Sequence, residues 1–164
     1  MRLKKAAAAV AALICLGSSP GALAQDGSTA RMRQWAESLA YRYLEGWSSG
    51  NAQALADVQA LYGPRVNFYG RSIGQGALFD EKRRFGQRWP VRRYTHRPGT
   101  LRITCDGASQ ACLVRSIIDW EAASPARGAY SRGSSTFELG LGFAGPRPVV
   151  LFERGRVLSG RRAV

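Results

Sequence analysis

The sequence predicts an α+β domain in which about three helices, all in the first half of the chain, pack on one face of a curved antiparallel sheet. Two observations carry this reading. Apolar residues recur at helical spacing as far as Trp89-Pro90, and beyond Pro90 they alternate with polar ones, as strands with one wet face require. Helices at one end followed by a run of strands indicate an α+β domain with the helices on one face of the sheet. No internal repeat and no linker divides the chain.

The first element is not structural. Arg2, Lys4 and Lys5 precede a small or apolar run from Ala6 to Leu16, and Ala22-Leu23-Ala24 offers the small residues of a cleavage site. Residues 1–24 therefore read as a secretory signal peptide, too short to remain as a bilayer span, which takes about 20 apolar residues. The expected product is one domain, residues 25–164, exported to the periplasm or beyond after cleavage near Ala24 and carrying no transmembrane anchor.

From Ala30 to Ser48, Trp35, Leu39, Tyr43 and Trp47 fall four apart, and Ala36, Ala40 and Leu44 broaden the stripe. This is a helix with Ser28 or Thr29 as its cap. Asn51 caps a second, through Leu55, Val58 and Leu61, stopped by Gly63-Pro64. "RVNFYG" is a short strand. Gly74 and Gly76 open a third helix, roughly Ala77 to Arg88, whose partly apolar face is Leu78, Phe79, Lys82 and Phe85. Trp89 ends it, since the residue before a proline is pushed toward extended backbone.

The remainder is sheet. "VRRYTHR" and "TLRITC" are strands separated by a turn at Pro98-Gly99. "ACLVRSIIDWEA" is apolar on both sides, with Val114, Ile118 and Trp120 on one face and Leu113 and Ile117 on the other, as a covered central strand would be. "YSRGSSTFELGLGF" turns Phe137, Leu139, Leu141 and Phe143 in and Arg132, Ser134, Thr136 and Glu138 out. "PVVLFERGRVLSG" reads as a hairpin about Arg154-Gly155.

Past the leader two cysteines remain, Cys105 and Cys112, bracketing the turn formers "DGASQA". In an oxidising compartment a disulfide across the ends of one hairpin is the natural reading, and two buried thiols are the alternative. One histidine leaves too few ligands for a metal site, and no cofactor motif is present. Losing the leader leaves 21 basic residues against 11 acids, a net charge of +10, with Lys82 the only lysine. Such a field attracts anions. Nucleic acid is not the expected partner, because the chain is exported, carries no nucleic-acid-binding motif and spreads its bases along its length. Lipid headgroups, envelope polysaccharide and acidic proteins are the anions to consider.

"YLEGWSSGNAQALADVQALYGPRVNFYG" resembles the opening helices and first strand of the NTF2-like superfamily, and "VLFERGRVLSG" resembles its closing hairpin. More narrowly, "FYGRSIGQGALFDEKRRFGQRWPVRRY" and "SIIDWEAASPARGAYSRGSSTFEL" are similar to exported bacterial NTF2-like domains of unassigned role, some appended to caspase-like peptidases. The resemblance covers nearly all of residues 25–164. It implies a cone-shaped fold with a pocket between helices and sheet, and pairing of copies through the outer sheet face, where Leu113 and Ile117 would stand. It says little of function, since this fold hosts SnoaL-like cyclases, ketosteroid isomerases and modules without chemistry.

Ketosteroid-isomerase-like members use a carboxylate near the first strand, and here no acid occurs from Arg65 to Leu78. Asp119, close to Glu121 and Arg115, is one weak catalytic candidate, and an ion pair is its competing reading. His96, expected to be exposed beside a turn, is the other. Tyr69, Trp89, Tyr94 and Trp120 are candidates for a ligand-binding wall, or else ordinary core. Arg83, Arg84, Arg88, Arg92, Arg93 and Arg97 form a broad basic surface shared by a helix and the strand after it. The balance favours an exported binding module, with a small apolar ligand, an unidentified protein or a second copy as partner. A lyase- or isomerase-like enzyme using the pocket is the alternative, and a cationic envelope-binding protein is the third.

Overall fold

The computed structural model describes residues 20–163, so most of the expected signal peptide lies outside the described residues. Helix α1 spans Pro20–Ser48, α2 Asn51–Leu61 and α3 Gln75–Arg88. Eight strands follow the first two helices: β1 Tyr62–Phe68, β2 Arg71–Gly74, β3 Val91–His96, β4 Arg102–Asp106, β5 Ala111–Ser124, β6 Ala129–Gly142, β7 Val149–Arg154 and β8 Val157–Ala163. The three helices cover one face of a curved, mostly antiparallel sheet of order β2-β1-β7-β6-β5-β3, an α+β architecture as the sequence predicts.

Helix α1 buries Met32, Ala36, Leu39, Ala40, Tyr43, Leu44 and Trp47 against the sheet. Trp35 is left 42 % exposed, with the Arg42 guanidinium 5.1 Å from its ring, because a spacing of four drifts about 40° per step round a helix and three steps carry Trp35 off the stripe. Neither Ser28 nor Thr29 begins the helix, which runs back to Pro20, a residue tolerated in a first turn. Asn51 is likewise not a cap; Gly50 holds that position, and the Asn51 amide is used elsewhere.

Strand β2, unforeseen in the sequence, pairs with β1 through a tight turn at Tyr69 and Gly70, both with positive φ (49° and 83°). Those angles suit a two-residue hairpin, whose twist must match its strands. Strand β1 in turn joins β7 in parallel, so the sheet is mixed at that edge.

The last two strands are not a hairpin. Both run antiparallel to β6, with Glu138 opposite Arg154 and Ser135 opposite Val157, so they continue one another along a single 14-residue partner. Gly155 and Arg156 form the jog between them, where the Thr136 and Arg156 backbones close up and a Cβ on Gly155 would lie 2.5 Å from the Thr136 carbonyl oxygen. Strands β3 and β4 share β5 in the same end-to-end way. Cys105 and Cys112 face each other across β4 and β5 and are joined as a disulfide.

Alternation along β5 fixes the concave face. Cys112, Val114, Ser116 and Ile118 are buried under the helices, while Leu113, Arg115 and Ile117 look outward.

Candidate functional site

Between helices and sheet lies a cavity of about 300 Å³. Helix α1 contributes Tyr43 and Trp47, the end of β1 Phe68, α3 Lys82 and Phe85, and β3 Tyr94. Tyr69 stands at its edge, displayed by the positive-φ turn that reverses β1 into β2.

Polar groups meet inside it. Lys82 Nζ lies 2.8 Å from Glu153 Oε2 and donates at 2.8 Å to the Tyr43 hydroxyl. The Tyr62 hydroxyl donates to Glu153 Oε2, and the Tyr43 and Tyr62 oxygens are 3.2 Å apart. The ammonium is also ringed by aromatic faces, 4.7 Å from the centre of Trp47 and 5.2 Å from that of Phe68. Burial pulls the Lys82 ammonium below the ordinary lysine range, against the opposing pull of Glu153. Burial and the Glu153 charge push the Tyr43 and Tyr62 hydroxyls well above theirs. The cluster is therefore an ammonium, a carboxylate and two neutral phenols that satisfy one another. Two further hydroxyls, on Tyr69 and Tyr94, line the cavity without a hydrogen-bond partner among the described residues. Burial pushes that of Tyr94 up to about 12, so it stays a neutral donor.

Of the four aromatic residues expected to form a wall, the fold brings Tyr69 and Tyr94 together. Trp89 is buried in a separate cluster with Ala122 and Ala129. Trp120, opposite Tyr94 in the sheet, lays its indole over Gly133 and Gly160 and is not part of the cavity wall. Asp119 does not reach the cavity and is paired with Arg97 at 2.6 Å, whereas Arg115 pairs with Glu138. His96 is not an exposed loop residue. It sits against Tyr41 and Phe137, its Nε2 donating to the Ala40 carbonyl at 3.2 Å and its Nδ1 accepting from Ser116 Oγ at 2.8 Å.

The basic surface also needs correcting. Arg83, Arg84, Arg88, Arg93 and Arg97 are exposed, but Arg92 is buried, because its position on β3 faces the helix ends. Leu113 and Ile117 are half-buried on the outer face. Among the described residues no three His, Cys, Asp or Glu side chains group as a metal site would, and no helix is long and apolar enough to cross a membrane.

Lys82 and Glu153 were missed as a site. The signal lay in α3, where the only lysine of residues 25–164 falls on the apolar stripe of Leu78, Phe79 and Phe85. Nothing local marks Glu153.

No protein-family model matches the sequence, and a search of curated proteins finds no match. Solved structures do match. An NTF2-like superfamily protein from Salmonella enterica serovar Typhimurium aligns at TM-score 0.67 and 11 % identity over 80 % of this chain and 94 % of its own. A scytalone dehydratase-like protein from Novosphingobium aromaticivorans aligns at 0.65 and 9 % identity over 83 % and 90 %. A calcium/calmodulin-dependent protein kinase II association domain-like protein from Xanthomonas campestris aligns at 0.57 and 10 % identity over 90 % and 93 %. The fold is an NTF2-like cone. At such identities the likeness is one of fold alone.

Proposed function

We propose that this protein is an exported ligand-binding module that holds a small, largely apolar molecule in its cone and performs no chemistry on it. One observation carries the reading. The aromatic cavity keeps its buried Lys82–Glu153 pair satisfied by Tyr43 and Tyr62 and presents the neutral Tyr69 and Tyr94 hydroxyls to a guest. A cavity of about 300 Å³ is at the compact end of ligand sites. Export is supported by the leader-like first 24 residues and agrees with the disulfide. A thermal-shift screen with apolar acids, steroids and polyketide-like compounds tests it. A guest at a hundred times its Kd adds about 2.7 kcal/mol, a shift of several degrees, and Tyr94→Phe should reduce that shift without lowering the melting temperature of the free protein. Silence across the screen would count against the cavity.

A lyase- or isomerase-like enzyme is the second reading, favoured by the carboxylate and phenols that share the cavity with any guest. It requires turnover of a bound compound that Glu153→Gln abolishes while binding persists. Pairing of two copies through Leu113 and Ile117 is a separate proposal. Ile117→Asp leaving the solution mass unchanged would refute it.

A further inference from the structure

Residues 25–164 carry a single lysine among many arginines, and the fold places it in the cone. The chain's other buried cation is an arginine: Arg92 spends its guanidinium on the Trp47, Gly86 and Trp89 carbonyls. An arginine at position 82 could also pair with Glu153, through a fork that matches a carboxylate better than an ammonium does. It could neither give up its proton nor attack a carbonyl carbon. A primary amine does both once it is neutral.

The groups around Lys82 suit that chemistry. Glu153 presents both oxygens to Nζ, at 2.8 and 3.1 Å, and the Tyr43 hydroxyl lies at 2.8 Å. Burial and the Glu153 charge keep Tyr43 and Tyr62 protonated, so Glu153 is the base in reach. Burial draws the ammonium below the ordinary lysine range, which eases loss of its proton. The ring centres of Tyr43, Trp47, Tyr62 and Phe68 lie between 4.7 and 5.4 Å from Nζ, and their faces attract any cation at that position. Lys82, Glu153 and Tyr43 all line the cavity, so a guest inside it meets them directly.

We propose that Lys82 captures a small apolar aldehyde in the cone as a reversible imine. The ammonium passes a proton to Glu153, and the freed lone pair forms a C–N bond at the carbonyl carbon while the C=O π bond breaks. One proton moves from nitrogen to the former carbonyl oxygen, the Glu153 proton follows, and the oxygen leaves as water. The product is an iminium that carries the charge the ammonium had, with Glu153 again a carboxylate beside it. Aromatic walls and a volume of about 300 Å³ favour a compact apolar guest. This capture rests on the cone being the binding site proposed above, and hydrolysis returns the aldehyde unchanged, so nothing is turned over.

Incubation with 2-naphthaldehyde and sodium cyanoborohydride, which reduces an imine to a stable amine, tests the capture. Peptide mapping by mass spectrometry tells Lys82 from Lys4, Lys5 and the α-amino group. Lys82 should be labelled at least about tenfold faster than any other amine, with a rate that saturates as the aldehyde is raised. Glu153→Gln, checked for folding by its melting curve, should slow the label roughly tenfold or more. 2-Methylnaphthalene, which has the rings and no carbonyl, should compete. Lys82→Arg, which keeps the charge, should lose that label yet still gain melting temperature from 2-methylnaphthalene. No label on Lys82, labelling no faster than at the other amines, or labelling that 2-methylnaphthalene does not slow would overturn the capture. If 2-methylnaphthalene still raises the melting temperature in that case, the cone remains a binding site and only the covalent step falls. If it does not, both fall.

Discussion

Lys82 and Glu153, 71 residues apart in the chain, form an ion pair whose side chains are only 6 % and 10 % exposed. Charges this deep survive because each is spoken for: Lys82 by Glu153, Tyr43 and a ring of aromatic faces, and Glu153 by Lys82 and Tyr62. Breaking such a pair from one side strands a charge, at about 3–5 kcal/mol, whereas replacing both partners with apolar groups is often neutral. Glu153→Leu alone and Lys82→Met alone should each lose about that much in urea unfolding. The double variant should recover most of it. Additive losses would mean that the two residues are not coupled.

His96 gives the fold an acid limit. Burial holds its ring below the ordinary histidine range, partly offset by the hydrogen bond to Ala40, and its neighbours Tyr41, Ser116 and Phe137 carry no countercharge. As pH drops through about 6.5 the unfolded chain therefore takes up the proton first. Stability should fall from there to the lower folded pKa and then level. Unfolding by urea at a series of pH values between 7.5 and 4.5 measures the slope, and His96→Gln should reduce it between pH 6.5 and 5. An unchanged slope would show that His96 is protonated equally easily in both states.

What could be read before the fold was known follows from range. The apolar stripe of α1, the two-sided β5 and the Cys105–Cys112 pairing are set by neighbours a few residues apart, and period and spacing display them. The buried pair is set by packing between α3 and β7, which no local pattern records. Arg92 follows the same logic: its parity on β3 was legible, but what it faces depends on where three helix ends converge. The jog at Gly155 misled because a glycine after an arginine is also what a hairpin turn looks like.

Cys105 and Cys112 close a loop with a sequence separation of only seven. In the chain-entropy model a loop that short contributes about 2–3 kcal/mol, taken from the unfolded chain. Reduction, or Cys105→Ser with Cys112→Ser, should lower the unfolding free energy by that amount, read as a lower urea midpoint. Cys112 is itself buried, so the double serine variant adds the cost of placing a hydroxyl in core and should fall below the reduced protein. Equal midpoints for oxidised and reduced protein would remove the stabilising role.

Arg92 ties the helices to the sheet. Its Nε donates to the Trp47 carbonyl near the end of α1 at 3.2 Å. Its Nη1 reaches Asn51 Oδ1 at 2.7 Å, the Gly86 carbonyl at 3.3 Å, and the carbonyl of Trp89, which closes α3. A cation at two helix C-termini complements both dipoles and donates to carbonyls at those ends. Arg92→Met would remove these charge-assisted hydrogen bonds, each worth about 1.5–3 kcal/mol, so a total loss of about 3 kcal/mol or more is expected. Arg92→Lys should recover little of it, since a point charge on a flexible stem cannot span three helix ends as a planar fork does. Urea midpoints of the two variants measured together decide the matter: full recovery by lysine would reduce Arg92 to a charge, and failure of both would confirm the fork.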